Sequence, residues 1–396
     1  MRHSLAARRR ALGLSQSDLA ERVGVDRSTV ARCEQGISTP RPWYRPLWAD
    51  ALDVSLAELD ALLGEAQEED VDRRDFLQGA IAAAATFATP GSASWVPAEA
   101  DLGSIRAAVA RATRLERATQ YAALDVMLPG LLSEVNELAS GGRVHAQEAT
   151  GLLSQAEALH AWLLIKQDRP DAAERAATAA LAAGDKAGDV CVAGAAMRCL
   201  GEVQMRAGRF AVASDLSIEA AEIVRRARLS TGDALAVIGA GYLSAAMAFA
   251  RAGDAASAGE LLDAAAASAA DLDHDVSTPA AFGPSNVAIH RVAIPTELGD
   301  PIAALDQARR TPVDMASGHE ERSGRYLIDI ARAYTARRQD APALRALLQA
   351  EQLAAEEVRM HRLTHSVLIT LLGRERRSRT PALRPMAARC GVLERA

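Results

Sequence analysis

Two short helices separated by a tight turn are predicted by the apolar pattern of residues 14–36. Leu19 and Val23 lie four positions apart and form one apolar face of the first helix. Val30 and Cys33 form the apolar stripe of the second helix. We expect these two faces to be buried against each other.

The residues around these apolar positions follow the rules for starting, joining and ending the two helices. Ser15 and Asp26 are natural N-caps. Ala20 is small where the second helix must approach closely, and Gly24 allows the sharp turn between the helices. Gly36 then follows the second helix as a C′ glycine. The alternative is an ordinary helical hairpin with a polar face, for which all these matches would be coincidental.

The outward face of the second helix is polar and basic. Short hydroxyl side chains near a helix start, together with arginines, suit the major groove of DNA, where arginine binds phosphates or guanine edges. The sequence therefore predicts a DNA-binding helix-turn-helix. Its outward side chains are Arg27, Ser28, Thr29 and Arg32.

Residues 4–63 resemble the Cro/repressor-type, or XRE-type, DNA-binding domain. The resemblance implies five short helices around one small core. The core positions that it implies are Leu5, Leu12, Leu14, Leu19, Val23, Val25, Val30, Ile37, Leu47, Leu52, Val54, Leu56 and Leu59.

The same resemblance implies which side chains contact DNA. The family often places a glutamine at the start of its second helix, and Gln16 matches this position. The recognition-helix contacts of the family correspond to Arg27, Ser28, Thr29 and Arg32.

The chain departs from the family where the fourth helix is expected. Pro42 and Pro46 both lie in this segment, and proline is tolerated in a first helical turn but not inside a helix. We therefore place the start of the fourth helix near Pro46. Arg41 lies just before it and suits a backbone phosphate, so we include it among the predicted DNA contacts.

The composition favours helices in the rest of the chain. Of the 396 residues, 49% are hydrophobic but only 4% are aromatic, and small side chains fill a core only where helices pack closely. The net charge is −6, yet residues 1–50 carry nine arginines and five acidic residues. The basic surface is therefore expected in the N-terminal domain, and the remaining acidic chain is not expected to touch DNA.

Residues 64–100 are predicted to be a linker that contains an alanine-rich helix. The segment from Asp72, DRRDFLQGAIAAAATFATPGSASW, is similar to a twin-arginine export signal. It follows a folded domain, however, where an N-terminal signal is not read. No apolar run reaches the roughly 18 residues of a membrane helix. We therefore expect a cytoplasmic protein without membrane contact.

From residue 101 onward, apolar stretches with helical period alternate with short turn signals. A unit of two antiparallel helices in each interval describes an α-solenoid, and no useful β-strand pattern occurs. The turns are predicted near Pro129, Asp168, Gly208, Gly253, Gly299 and Gln339, in steps of 39 to 46 residues.

This region resembles a tetratricopeptide array with units longer than the usual ones. Over residues 282–374 it is similar to the C-terminal half of a large actinobacterial group of regulators that join an XRE-type head to a tetratricopeptide-like body. A looser similarity is to the peptide-sensing regulators of Gram-positive quorum sensing, which hold a signalling peptide in a concave groove. These resemblances imply a fold and a general role, and they do not supply a ligand.

A ligand site is predicted from polar residues in the alanine-rich array. Asn286 and His290 lie four positions apart on one helix face, next to Arg291, and Arg325 and Tyr326 lie on a later helix. Asparagine can pair with a peptide backbone, and arginine can bind a carboxylate. The alternative is a structural role, in which Asn286 and His290 cap or bridge neighbouring repeats.

The sequence gives little support for catalysis or metal binding. Neither lysine follows a glycine, as a Walker A loop requires, and the patterns HExxH and GxSxG do not occur. His361 and His365 have a spacing that could hold a metal, but no third ligand is evident nearby. The four cysteines contain no CxxC pair and are expected to be reduced and buried. We predict no enzyme activity, no metal and no cofactor.

The sequence therefore predicts an all-α transcriptional regulator. A five-helix XRE-type domain occupies residues 1–63 (the head), a linker residues 64–100, and a tetratricopeptide-like α-solenoid residues 101–396 (the body). We expect a homodimer on an inverted repeat of double-stranded DNA, whose body senses a peptide or small-molecule effector. The alternative is a protein-interaction adaptor, in which the solenoid binds a protein partner and the head recruits it to DNA.

Overall fold

The computed structural model is all-α, as the sequence predicts. Among the residues that it describes there is no strand, and Val276 and Phe282 form one isolated β-bridge. The linker predicted at residues 64–100, with its twin-arginine segment, lies outside these residues. The described residues are 3–23, 27–35, 40, 45–63, 102–141, 145–272, 274–276, 280–310, 320–375 and 380–393.

The head contains five helices in its described residues, which agrees with the resemblance. They are α1 (His3–Ala11), α2 (Gln16–Val23), α3 (Arg27–Glu34), α4 (Arg45–Ala51) and α5 (Leu56–Leu62). The start of α4 at Arg45 places Pro46 in its first turn, close to the predicted start.

Most of the predicted head core is buried. Leu12 and Val54 are only partly buried. Val25, Ile37 and the side chains of Leu47 and Leu56 are outside the described part of the structure. Trp48 and Leu63 are almost fully buried core members that the resemblance did not indicate. The buried members of the predicted set are Leu5, Leu14, Leu19, Val23, Val30, Leu52 and Leu59.

The predicted N-cap of α2 is confirmed. The Ser15 hydroxyl accepts the Asp18 amide at 3.1 Å, and the Asp18 carboxylate accepts the Ser15 amide at 2.7 Å. The pair therefore satisfies two backbone donors at the helix start. The predicted roles of Gly24, Asp26 and Gly36 fall outside the described residues.

The helices of the body follow one another as antiparallel pairs, and three shorter helices complete the chain. The pairs are α6 (Leu102–Arg117) with α7 (Tyr121–Ser140), α8 (Ala146–Lys166) with α9 (Pro170–Ala187), α10 (Val190–Arg206) with α11 (Phe210–Arg226), α12 (Gly232–Ala252) with α13 (Ala255–Ala270), α14 (Pro284–Leu298) with α15 (Pro301–Arg310), and α16 (Glu320–Ala336) with α17 (Asp340–Leu353). The last three helices are α18 (Ala355–Met360), α19 (Arg362–Leu372) and α20 (Leu383–Arg389).

The turn inside each pair contains one residue with a left-handed backbone conformation. This confirms the turns predicted at positions 168, 208, 253 and 299 and the one near 339, which explains why glycine is frequent there. The left-handed residues, 39 to 49 positions apart, are Thr119, Asp168, Gly208, Gly253, Gly299 and Arg338.

The turn predicted at Pro129 is wrong. Pro129 lies inside α7, and the turn of the first pair is at residues 118–120. Proline removes one backbone hydrogen bond from a helix interior. Here Pro129 is exposed, whereas Leu128 and Leu131 on either side of it are buried, so packing keeps the helix continuous.

Close helix packing explains the small side chains. A Cβ atom at Gly194 of α10 or Gly241 of α12 would lie 3.0 and 2.7 Å from carbonyl oxygens of α11. Such distances leave no room for a larger residue. The glycines and alanines therefore allow α11 to pack tightly between its neighbours.

The body curves until its last helices contact its first ones. The hydroxyl of Tyr121 donates to Glu357 at 2.8 Å, and its amide donates to Glu356 at 2.8 Å. The ammonium of Lys166 binds Glu357 at 2.7 Å and Glu321 at 2.9 Å. These closure contacts join residues 155 to 236 positions apart, so the first and the last helices of the body contact each other.

The helix α12 is 21 residues long, and the mean hydropathy of its most apolar 18 residues is 1.5, which is enough by length and composition to cross a membrane. Of its most apolar window, 72% is buried inside the body. Packing between the neighbouring helices α11, α13 and α14 explains this apolar character.

Candidate DNA-binding face and central cavity

The helices α2 and α3 pack through the predicted apolar residues. Leu19, Val23, Val30 and Cys33 are all buried, which leaves the opposite face of α3 outward. Arg27 begins α3 and is exposed, as a DNA contact requires. The backbones of Ser28, Thr29 and Arg32 lie on α3, but their side chains and the whole of Arg41 are outside the described residues.

Gln16 takes part in a polar network inside the head. Arg9 and Glu34 form a buried two-pronged ion pair between α1 and α3, with distances of 2.6 and 3.1 Å. The side-chain amide of Gln16 donates to the Glu34 carboxylate at 2.8 Å. Burial raises the pKa of Glu34, but the bonds from Arg9 and Gln16 outweigh it and lower this pKa overall. Gln16 thus has a structural role that the sequence did not indicate, and its DNA contact stays a prediction.

A cavity of about 260 Å³ lies at the centre of the body. It is lined by the first helix of every pair, α6, α8, α10, α12, α14 and α16, and by the junction of α18 and α19. The second helices of the pairs contribute no described lining residue. This volume is close to the lower end of small-molecule pockets.

The structure brings three of the five predicted ligand residues to this cavity. Asn286, His290 and Arg325 line it. Arg291 is half-buried outside the lining, and Tyr326 packs in the hydrophobic core with 3% of its surface exposed. Neighbouring positions on a helix point in different directions, so only some of the predicted residues on each helix can line the cavity.

Asn286 and His290 form hydrogen bonds with each other and with the segment before α14. The side-chain amide of Asn286 donates to the carbonyl of Ala281, five residues earlier, at 3.3 Å. The His290 Nδ1 lies 2.9 Å from the Asn286 carbonyl and must donate, because a carbonyl only accepts. Burial lowers the pKa of His290 to about 4, so the ring is neutral at pH 7 and its Nε2 is an acceptor.

Acidification should therefore destabilise the body through His290. An ordinary histidine has a pKa of about 6.5. The unfolded chain takes up the proton first as pH falls, so stability is full above pH 6.5 and decreases toward pH 4, by on the order of 2–3 kcal/mol. Thermal unfolding at pH 7 and 4.5 measures the loss. The variant His290→Gln should lose less stability at pH 4.5 than the wild type. The control is His160→Gln, at a half-buried histidine of α8 outside the cavity lining, and it should lose as much as the wild type. Equal losses in the two variants would contradict this assignment.

Carboxylates in the cavity wall are held by arginines from neighbouring helices. Both oxygens of Glu297 contact Arg332, at 3.3 and 3.2 Å, and Arg251 lies 3.6 Å from the same carboxylate. Arg332 also bonds Asp329 at 2.8 Å. These pairs cross-link α12, α14 and α16 around the cavity.

Arg325 is a permanent cation in the wall. Burial lowers its pKa, but the carboxylates of Glu321, Glu202 and Glu357 outweigh this and raise the pKa above its ordinary value. In contrast, burial and the charge of Glu321 raise the pKa of the Glu116 carboxyl to about 7. The cavity therefore combines fixed positive charge with a carboxyl that is protonated in part at neutral pH.

Sequence reasoning did not assign Arg198 and Trp162 to a site. Both line the cavity, and the Arg198 guanidinium lies 5.7 Å from the centre of the Trp162 ring. The signal in the sequence was the spacing of Arg198 and Glu202, two charged residues four positions apart in the otherwise apolar stretch CVAGAAMRCLGEVQM. Charged residues at helical spacing in a buried helix indicate a polar cavity.

The two histidines with metal-ligand spacing bond to different backbone groups. His361 Nδ1 accepts the Leu363 amide at 3.2 Å, and His365 Nε2 lies 2.6 Å from the Arg359 carbonyl. Within the described residues there is no group of three potential metal ligands. Cys199 also lines the cavity, and burial raises the pKa of its thiol to about 12, so the thiol remains protonated.

Comparison with known proteins bears on the head. Residues 1–62 match the family described as "Helix-turn-helix domain". The head is a helix-turn-helix domain. Such a domain is a DNA-binding unit, and the match covers this part of the chain alone.

The helix-turn-helix domain and the body share one hydrophobic cluster. Core residues of the domain, such as Trp48 and Leu52, belong to the same cluster as Met205, Phe210 and Ala248 of the body. Met205 also lines the central cavity. Apolar packing therefore connects the cavity wall to the helix-turn-helix domain.

Two further comparisons add little to this. No curated protein matches the chain. The crystal structure of Bacillus thuringiensis PlcR in complex with the peptide PapR7 and DNA is similar over 68% of this chain and 98% of that chain, at 13% identity and a TM-score of 0.27. A likeness at this level carries no argument about function.

Proposed function

We propose that the protein is a cytoplasmic transcriptional regulator that binds specific DNA as a homodimer and senses a ligand in the central cavity of its body. The observation that carries this proposal is the joining of a helix-turn-helix domain to a closed ring of helix pairs around a charged cavity. The XRE-type resemblance of residues 4–63 supports the assignment of Arg27, Ser28, Thr29, Arg32, Gln16 and Arg41 to DNA contacts.

Homodimerisation follows from the small size of the head. One such domain offers few base contacts, and helix-turn-helix proteins commonly bind two half-sites related by a two-fold axis. The apolar residues of the head are largely used in its own core, so the body is the better candidate for the dimer surface.

Sensing requires that the ligand distinguishes two shapes of the body. Each helix pair contacts mainly its neighbours, so small rotations can add along the ring and move the heads. The cluster that contains Met205 offers a contiguous route from cavity to head. A coupling of about 1–3 kcal/mol would change DNA affinity roughly 5- to 150-fold.

The small volume of the cavity favours the sensor over the adaptor. The closure contacts bring the two ends of the body together, and the cavity of about 260 Å³ inside it suits a small ligand better than a protein partner. A stoichiometric protein partner bound to the body would instead support the adaptor.

Replacing Arg27 by alanine should weaken specific DNA binding by about 1–3 kcal/mol, because arginine contacts to bases or phosphates have this value. Arg309→Ala is the matched control, since Arg309 is an exposed arginine of α15 that pairs with Asp306 in the body. Fluorescence anisotropy with labelled duplex measures both affinities. Wild-type affinity of the Arg27 variant, at unchanged thermal stability, would show that the assigned face is wrong.

The sensor is tested by separating basal binding from the response. Asn286→Ala should keep near-normal DNA affinity without effector and lose the response to any culture extract or peptide that changes the affinity of the wild type. A normal response of this variant would exclude Asn286 from the ligand site. If no extract or peptide changes the wild-type affinity, the sensing proposal fails.

A further inference from the structure

We propose that the cavity binds a small amphipathic organic anion. Its oxyanion group is bound by Arg198 and Arg322, and its apolar part packs beside Trp162. This inference deepens the proposed function and rests on it only for the effect of the ligand on DNA binding.

The cavity wall has hydrogen-bond donors that the protein does not use. Among the described residues, Arg198 Nε on α10, Arg322 Nη1 on α16 and His361 Nε2 are buried atoms without a hydrogen-bond partner, and all three residues line the cavity. Arg322 Nη1 lies 3.6 Å from the Asp275 carboxylate and His361 Nε2 lies 3.8 Å from the Glu357 carboxylate, both beyond hydrogen-bond distance, whereas Arg198 has no such neighbour in the described structure. The His361 side chain is 92% buried, because its exposed fraction is 8%. Its Nδ1 accepts the Leu363 amide, so the proton of the neutral ring is on Nε2. All three atoms are therefore donors, and a buried donor without an acceptor is costly.

Four of the five acidic side chains that line the cavity, in contrast, are already paired. A cationic ligand would have to displace an arginine or lysine of the protein, whereas an anionic ligand meets donors that are unused. The paired carboxylates are Glu202 with Arg206 at 3.2 Å, Glu297 with Arg332 at 3.2 Å, Asp329 with Arg332 at 2.8 Å, and Glu321 with Lys166 at 2.9 Å.

Glu116 stands outside these pairs, yet it does not favour a cation strongly. Burial raises the pKa of its carboxyl to about 7, so the protonated form is present at neutral pH and can donate an O–H. The wall near α6 and α16 therefore offers donors to an oxyanion rather than a strong cation site.

Another part of the wall is apolar. Trp162 and Leu159 of α8, Leu243 of α12 and Ile289 of α14 line it. Because Arg198 lies over the Trp162 ring, a bound oxyanion would be next to this apolar surface. The arrangement fits a molecule with one acidic group and a hydrocarbon or aromatic part, and the cavity volume of about 260 Å³ suits a small one.

Thermal unfolding of the full-length protein tests this assignment with defined probes. The carboxylates are acetate, octanoate, phenylacetate and indole-3-acetate, each compared with its neutral amide and with inorganic phosphate. Ligands that bind the folded state raise its unfolding temperature in a saturable way. We expect at least one carboxylate with an apolar part to do so, and its amide and phosphate to have a much smaller effect.

The variant Arg198→Met identifies the site. No ion pair of Arg198 occurs in the described structure, so this change should leave the fold intact while weakening the effective carboxylate about 10-fold or more. Arg322→Met is a second variant, although Arg322 also contacts Asp275 and the Ala281 carbonyl. Arg309→Met, at an exposed arginine outside the cavity, is the control and should bind like the wild type.

Several outcomes would overturn the inference. The first is that a carboxylate and its neutral amide raise the unfolding temperature equally, or that inorganic phosphate raises it as much as the carboxylate. The second is that no carboxylate raises the unfolding temperature. The third is that Arg198→Met binds the carboxylate as tightly as the wild type. The same samples are assayed for DNA affinity, so the two proposals can fail separately. A protein that binds a carboxylate but no DNA would overturn only the proposed function, and one that binds DNA but no carboxylate would overturn only this inference.

Discussion

Replacing Lys166 by methionine should lower the free energy of unfolding of the body by about 3–5 kcal/mol. The side chain of Lys166 is only 7% exposed and lies between the buried carboxylates of Glu321 and Glu357, at 2.9 and 2.7 Å. Burial raises the pKa of Glu357, but Lys166 and Arg325 outweigh it and keep this pKa low. Without the ammonium, two buried negative charges face each other across the closure contacts.

Urea denaturation of the full-length protein measures this loss. The matched control is Lys186→Met, because Lys186 is the only other lysine of the chain and is exposed on α9. The double variant Lys166→Met with Glu357→Gln should recover part of the stability, since it removes one of the uncompensated charges. Equal stability of the two lysine variants would contradict the assigned role of the closure contacts.

Replacing Phe282 by alanine should also cost about 3–5 kcal/mol, as for other fully buried phenylalanines. Phe282 is 0% exposed, and its ring lies directly against the backbone of α12 at Gly239. A Cβ atom at position 239 would lie 2.0 Å from this ring, so Gly239→Ala should be destabilising as well, through overpacking.

The two changes should not add. In the double variant, the methyl group introduced at position 239 occupies the space that the ring has left. The loss in free energy of unfolding of the double variant should therefore be smaller than the sum of the two single losses. Urea denaturation of the four proteins completes the cycle, and Val126→Ala, at a residue 79% exposed, is the control. Additive costs would show that Gly239 is not selected by the ring of Phe282.

Local rules explain what the sequence predicts well. Ser15 caps α2 because its hydroxyl reaches an amide three residues away, and glycines 208, 253 and 299 end helices because their backbone conformation favours glycine. Such features depend on a few neighbouring residues. They were sufficient to predict the two helices of the helix-turn-helix and most turns of the body.

Features that depend on distant contacts could not be predicted in this way. The turn predicted at Pro129 failed because packing of Leu128 and Leu131 keeps α7 continuous. The closure contacts join Tyr121 to Glu357, which are 236 positions apart, and nothing local indicates that the solenoid returns on itself.

The cavity shows the same division. Asn286 and His290 were found because their helical spacing places both on one face, whereas Tyr326 turns into the core beside the lining residue Arg325. Arg198 was not assigned to the site because its spacing from Glu202 indicates a cavity only once the helix around both residues is known to be buried. Only the assembled ring of first helices distinguishes the two.

Selection of random duplex DNA by the full-length protein, followed by sequencing of the bound pool, tests whether the helix-turn-helix domain binds specific DNA. We expect enrichment of an inverted repeat whose half-sites are about 10 base pairs apart, or a multiple of this, at physiological salt. Under the same conditions Arg27→Ala should enrich this sequence much less. A wild-type pool without any enriched sequence, or the same enrichment with Arg27→Ala, would contradict the account.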